Sequence, residues 1–290
     1  MWDLIWSIFC SSLIFVIFRL YRTYRIATFH AIVVNYLTAF LTGIFLYRGP
    51  VGVSEIPAQP WLVGALLLGM LFILIFNLMA RTSQQMGVSV ASIATKMSLV
   101  IPVLAGILLY GEQLDLMKII GIATALVAVY FASLKDRQRR FRGDLRLLVL
   151  PLLVFLGSGI IDSSIKYLEE TRVPESEFPL FSAAIFGFAA LAGLCALLVR
   201  QPRSVVTWNP KNLLGGVALG VPNFFSVYFL LRALQFKGLN SASIFTLNNV
   251  AIVMLTTLLG ILLFRESMSN RNWAGVVLAV VSILLISYSR

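Results

Sequence analysis

Charge is what this 290-residue chain has least of: Asp, Glu, Lys and Arg together supply 12% of it, about half the share of an ordinary soluble domain. Hydrophobic residues supply 59% and the mean hydropathy is +0.93, a composition that argues against a water-soluble fold. There is one histidine, and there are two cysteines. Cys10 and Cys195 each lie inside an apolar run with no ligand spacing around them, so neither a disulfide framework nor a metal site is readable. A nucleophile beside a base, a carboxylate pair, or metal ligands at workable spacing are equally missing, which argues against an enzyme. No remaining stretch is long enough for a separate soluble domain.

What the chain does have is apolar runs, recurring from one end to the other. They lie near 2–20, 26–47, 60–80, 88–110, 115–133, 145–168, 178–199, 211–233, 239–264 and 270–288. Most have the roughly 17–25 residues that cross about 30 Å of hydrocarbon as helix. The first run lacks a basic start and a small-residue cleavage site before Arg19, so it reads as a span and not as a leader. Pro102, Pro151 and Pro222 fall inside runs, where each could kink or break a helix. Neighbouring helices can satisfy the freed carbonyls, and the expected fold is all-α integral membrane with ten transmembrane helices.

The charges present are lopsided: 23 Lys and Arg against 12 Asp and Glu, a formal net charge of +11. The basic residues sit between apolar runs, where they orient a membrane protein; this is not the pattern of a nucleic-acid interface. Arg19, Arg22 and Arg25 follow the first span, and a dense run from Lys135 to Arg142 follows the fifth. Those loops are expected in the cytoplasm and both termini on the opposite side. The basic linker 135–144 then joins two sets of five spans, 1–134 and 145–290. An odd number of spans per set inverts one set relative to the other.

A shift of about 150 residues lays the second half onto the first. Gly64, Gly69, Arg81, Gln84 and Gly87 meet Gly215, Gly220, Arg232, Gln235 and Gly238. Ala91, Ser92, Ile93 and Thr95 meet Ala242, Ser243, Ile244 and Thr246, and after a slip of three residues GILLYGE (106–112) meets GILLFRE (260–266). Glycines alone could reflect shared helix packing, but matched Arg, Gln and Glu at one register mark a duplication. Two inverted five-helix repeats suit alternating access about a site near the midplane.

With GVSVASIATKMSLVIPVLAGILLYGE (87–112), Gly121 and GLNSASIF…GILLFRE (238–266) on the page, the chain resembles the drug/metabolite transporter superfamily, in particular its EamA-like ten-span branch. The second copy departs from the pattern, with Ala251 or Val253 near the position of Pro102. The resemblance covers nearly the whole chain. It implies solute export or exchange across the bacterial inner membrane, without a bound cofactor, through a cavity between the repeats. It implies no particular solute; amino acids, other metabolites and drugs stay open.

Lys96 is the outstanding candidate for binding, because an ionisable side chain deep in a span faces a partner or a wet cavity. It lies about 12 Å into the fourth span; snorkelling toward the inner headgroups is the alternative. Its repeat partner is Leu247, followed by Asn248 and Asn249, which sets a cation against amides. Asn35 and Asn223 lie near the midplane, where an amide either joins helices or binds solute. Tyr228, beside Phe224 and Phe225, could line an apolar wall. Ser158, between Gly157 and Gly159, reads as close helix packing or as part of the site. Asp162 and Lys166 are spaced for an ion pair on one helix, and Glu112 and Glu266 are expected to fix helix-end turns. His30 reads as a hydrogen-bonded helix residue. The expected function is a small-molecule carrier in the lipid bilayer, with the substrate-binding residues Lys96, Asn35, Asn223, Asn248, Tyr228 and Ser158. A lipid flippase or scramblase and a channel are the alternatives, and a monomer is the default state.

Overall fold

The computed structural model describes residues 2–47, 49, 51–102, 104, 116–133, 146–200, 209–234 and 241–288. Among them are ten α-helices and no strand. In chain order the helices are α1 (Trp2–Thr23), α2 (Thr28–Leu46), α3 (Leu62–Met86), α4 (Val88–Met97), α5 (Leu116–Ser133), α6 (Arg146–Thr171), α7 (Phe178–Arg200), α8 (Pro210–Leu234), α9 (Ser241–Phe264) and α10 (Asn270–Tyr288). Short 3-10 turns, Val53–Ala58 and Glu175–Glu177, precede α3 and α7. Seven helices (α1, α2, α3, α6, α7, α8 and α9) are long and apolar enough to cross a membrane, and α4, α5 and α10 carry shorter apolar stretches. The protein is an all-helical, multi-pass membrane protein. The linker 135–144 and Glu112 lie outside the described residues.

Each helix falls on one of the apolar runs, but α3 continues past the expected end near residue 80. The added turn is polar yet satisfied: Thr82 Oγ1 donates to the Leu78 carbonyl at 2.8 Å and Ser83 Oγ to the Phe15 carbonyl of α1 at 3.0 Å. Hydropathy ends where the hydrogen bonds to a neighbour begin.

The three prolines differ in effect. Pro151 and Pro222 sit within unbroken α6 and α8. The fourth span is broken: α4 ends at Met97, Ser98 and Leu99 form a turn, and helix resumes at Val100. Pro102 accounts for this, since it has no N–H for the carbonyl four residues back and its ring crowds that carbonyl. That carbonyl belongs to Ser98, and it accepts the Ile101 N–H at 2.9 Å in a tighter, 3-10-type bond.

The helix contacts reproduce the duplication. α3 packs on α6 and α7, and its repeat equivalent α8 packs on α1 and α2; α1 meets α9 as α6 meets α4. α2–α7, α4–α9 and α5–α10 pack equivalent helices on one another. For these crossings, exchanging the two sets of five helices returns the same pairs, as a pseudo-two-fold axis requires; among the described residues the α1–α3 contact finds no comparable α6–α8 contact. The matched glycines sit at matched crossings. A Cβ on Gly69 would lie 2.7 Å from the Ala189 nitrogen of α7, and one on Gly220 2.7 Å from the Asn35 carbonyl of α2. Only glycine lets these backbones approach so closely.

The larger core cluster gathers Phe18, Tyr21, Tyr36, Trp61, Phe76 and Phe181. A smaller one joins Ile93 and Met97 of α4 to Val253 of α9 and to alanines of α5 and α10. Exposed Leu, Ile and Val cover the outer faces of the helices, the arrangement lipid tails demand.

Candidate functional site

Two equivalent helix pairs, α4–α6 and α9–α1, cross between the repeats, and their chemistry differs. In the first, the Lys96 ammonium and the Asp162 carboxylate lie within electrostatic reach of one another. Ser98 Oγ, at the break in the fourth span, donates to Asp162 Oδ2 at 3.4 Å. In the second pair the contact is neutral: Ser7 Oγ donates to Asn248 Oδ1 at 3.3 Å.

The setting of Asp162 is informative. Leu153, Leu156, Ile160 and Tyr167 form the exposed face of α6. At about 3.6 residues per turn, Asp162 stands on the other side, one turn from Ser158 and two from Phe155; both of those are buried. Asp162 is nevertheless exposed, and Lys96 is half-buried. An accessible carboxylate on the inward face of a spanning helix is turned away from the lipid side. A carboxylate of another helix, sixteen residues into α6 or about 24 Å from its start, is thus within electrostatic reach of Lys96. The expectation for Asp162 placed its partner at Lys166 on the same helix, whose side chain lies outside the described set. The sequence showed Asp162 only as a carboxylate in the outer part of the sixth span, spaced for Lys166, so its approach to Lys96 was not foreseen.

Asn35, Asn223 and Asn248 belong to one polar seam through α2, α8, α1 and α9, and they are 0%, 4% and 2% exposed. Asn223 Nδ2 donates to Asn35 Oδ1 at 3.2 Å. Ser226 Oγ donates to the Asn223 carbonyl at 2.8 Å, and Ser7 Oγ reaches the Ser226 carbonyl at 2.9 Å besides Asn248. Ser7 and Ser226 were not singled out beforehand, since serines in apolar helices are common and only their meeting is informative. A further serine–threonine contact, Thr256 Oγ1 to Ser92 Oγ at 2.6 Å, joins α9 to α4. Tyr228 stacks on Phe224 at 6.0 Å, with the Arg232 guanidinium 5.8 Å from its ring. It therefore sits in an aromatic row on α8 toward the helix end, and Arg232 continues to Asp3 at 3.4 Å.

Carboxylates tie the repeats together at both ends. Glu266, just beyond α9, accepts the Val88 N–H at 2.8 Å and the Ser89 hydroxyl at 3.2 Å. A carboxylate at the first turn of α4 satisfies otherwise orphaned donors and complements the helix dipole. Gly87, with φ +117°, makes the sharp turn there, and a Cβ on it would lie 2.8 Å from the Glu266 oxygens. The helix-end role expected of Glu266 is thus fulfilled on a helix of the other repeat. Nearby, Arg19 donates to the Ser83 carbonyl at 3.2 Å and to the Gln84 carbonyl, while Gln84 Nε2 reaches the Phe18 carbonyl at 3.1 Å. At the opposite end the buried Trp61 Nε1 donates to Glu177 at 2.7 Å.

Comparison with known proteins fits this construction. The EamA-like transporter family matches residues 3–134 and 147–288, one copy per five-helix set. The chain belongs to the EamA-like transporter family. This is a family of membrane transporters and not of enzymes, so its partners are a small-molecule solute and membrane lipid. An uncharacterized protein of Haemophilus influenzae is 29% identical over 292 residues, covering 99% of this chain and 98% of that one. A protein known from a crystal structure shares the fold, with a TM-score of 0.56 at 20% identity over 97% of this chain and 96% of that one.

Proposed function

We propose that this EamA-like transporter is an alternating-access carrier for a small polar solute, an exporter or exchanger, with its binding space between α4, α6, α9 and α1. The observation that carries the reading is the Lys96–Asp162 pair at the break of the fourth span, on an inward face yet accessible. Broken spans expose backbone groups only where protein or a wet cavity receives them. Lys96 takes an anionic group of the solute, Asp162 balances the site when it is empty, and Ser158 lies one turn away on the wall. Across the pseudo-two-fold axis, Asn248 presents its amide, backed by Asn35 and Asn223, and Tyr228 flanks the seam.

In this reading residues 1–134 and 145–290 rock as two units joined by the cytoplasmic linker 135–144, in the bacterial inner membrane with both termini outside the cytoplasm. The Glu266 contacts with Val88 and Ser89 then hold the cytoplasmic end shut, and the Trp61–Glu177 contact serves the other end. Release of Glu266 frees α4 to move with its Lys96.

A thermal-shift screen of detergent-purified protein against amino acids, organic acids, nucleosides and cationic drugs tests the assignment, because a ligand that prefers the folded state raises its stability. One anionic or zwitterionic class is expected to raise Tm, and Lys96→Met to lose that response. A Lys96→Met protein with the full response would remove Lys96 from the site. Stabilisation by lipids alone would move the lipid-flippase reading ahead.

A further inference from the structure

A cavity of about 640 Å³ lies away from the polar seam, between α2 and α7 and roofed by the 3-10 turn at Ile56 and Pro57. No described lining side chain carries a polar group: Val33, Leu37 and Phe40 form one wall and Phe188, Leu191 and Leu194 the other. Small residues carve its floor. A Cβ on Gly187 would lie 3.0 Å from the Phe40 ring, and Ala184 and Ala190 flank it. The rim opens sideways, where Leu37 and Leu191 are exposed.

Dimensions and chemistry select the occupant. From Ala184 to Leu194 the cavity runs about 15 Å along α7, half of a hydrocarbon layer of roughly 30 Å. One end lies at the start of α3, by Leu62, and the other stops at Val33 and Leu194, short of the far ends of α2 and α7. A partner helix would need a groove crossing the whole layer, and a polar solute would find no hydrogen-bonding group. We propose that this groove is a binding site for one acyl chain of a membrane phospholipid, drawn from the leaflet on the side of the Val53–Ala58 turn. The site selects the chain and not the headgroup. It is built by equivalent helices of the two repeats, so a seated chain touches both halves at once. It does not depend on the identity of the transported solute.

Vesicles of phosphatidylcholine carrying a photoactivatable diazirine in the middle of one acyl chain provide the test. After illumination and digestion, adducts on residues 33–40 and 184–194 are expected severalfold above those on openly exposed apolar faces, such as Leu213 and Leu214 of α8 or Leu262 and Leu263 of α9. Filling the groove with Ala190→Trp should bring its adducts down to the level of those faces. Adducts spread over all faces in proportion to exposure would overturn the proposal in the wild-type protein alone. So would an Ala190→Trp protein with unchanged thermal stability and unchanged groove labelling.

Discussion

Lys96 stands where hydropathy reasoning leaves two choices, a snorkelling stem or a charged site, and the position of Asp162 favours the second. Removing either partner leaves the other charge uncompensated inside the membrane domain, which costs more than removing both. Lys96→Met and Asp162→Asn should each lower Tm, and the double variant should recover part of the loss. The coupling energy is expected near 1 kcal/mol, reduced by the openness of Asp162. Strict additivity in thermal melts would mean that the two groups do not interact. The asparagines were legible only as midplane amides needing partners; that Asn35 and Asn223 satisfy each other depends on the α2–α8 crossing, which no local pattern encodes. Asn35→Ala strands the Asn223 amide and should destabilise the protein by about 1 kcal/mol, since membrane interhelical hydrogen bonds fall in that range. Unfolding from mixed micelles measures it.

Among the elements, the fourth span joins fold to function most directly. Pro102 was visible as a breaker, but Pro151 and Pro222 were visible in the same way, and their helices run on. A proline signal fixes where a hydrogen bond is lost and leaves open how the neighbours compensate. Pro102→Ala restores a donor to the Ser98 carbonyl. It is expected to raise Tm and to slow solute flux in proteoliposomes, because a continuous helix gives up the bend beside Lys96; unchanged flux would separate the break from transport. The close crossing at Gly220 gives the opposite sign. Gly220→Ala forces a methyl to 2.7 Å from the Asn35 carbonyl, and overpacking of this kind costs about 1–3 kcal/mol. A melt shows whether the α2–α8 crossing tolerates it.

At the scale of the whole molecule, the duplication was the most legible feature, because matched Gly, Arg, Gln and Glu survive where apolar residues interchange freely. The contact exchange between the two sets of helices repeats what that register predicts. Less legible was the division of labour between the halves. The α4–α6 pair carries charge where the α9–α1 pair carries a neutral hydrogen bond, and only the folded arrangement identifies these as equivalent places. Equally hidden was the crossing of Glu266 from the second half to the first turn of α4. Glu266→Gln keeps the shape and removes the charge, and should open that end of the molecule. An engineered thiol at Ser92, with Cys10 and Cys195 replaced, should then react faster with a membrane-impermeant maleimide applied on that side; an unchanged rate would leave Glu266 as a helix cap only.

The central claim is that Asp162 faces an aqueous space inside the membrane domain, reachable in turn from either side. Asp162→Cys and Ile160→Cys, both in a background lacking Cys10 and Cys195, can be labelled with a membrane-impermeant maleimide in sealed vesicles of each orientation. The account predicts labelling at position 162 from both sides and none at position 160, which faces lipid. Equal failure at both positions, or access to position 162 from one side only, would contradict it.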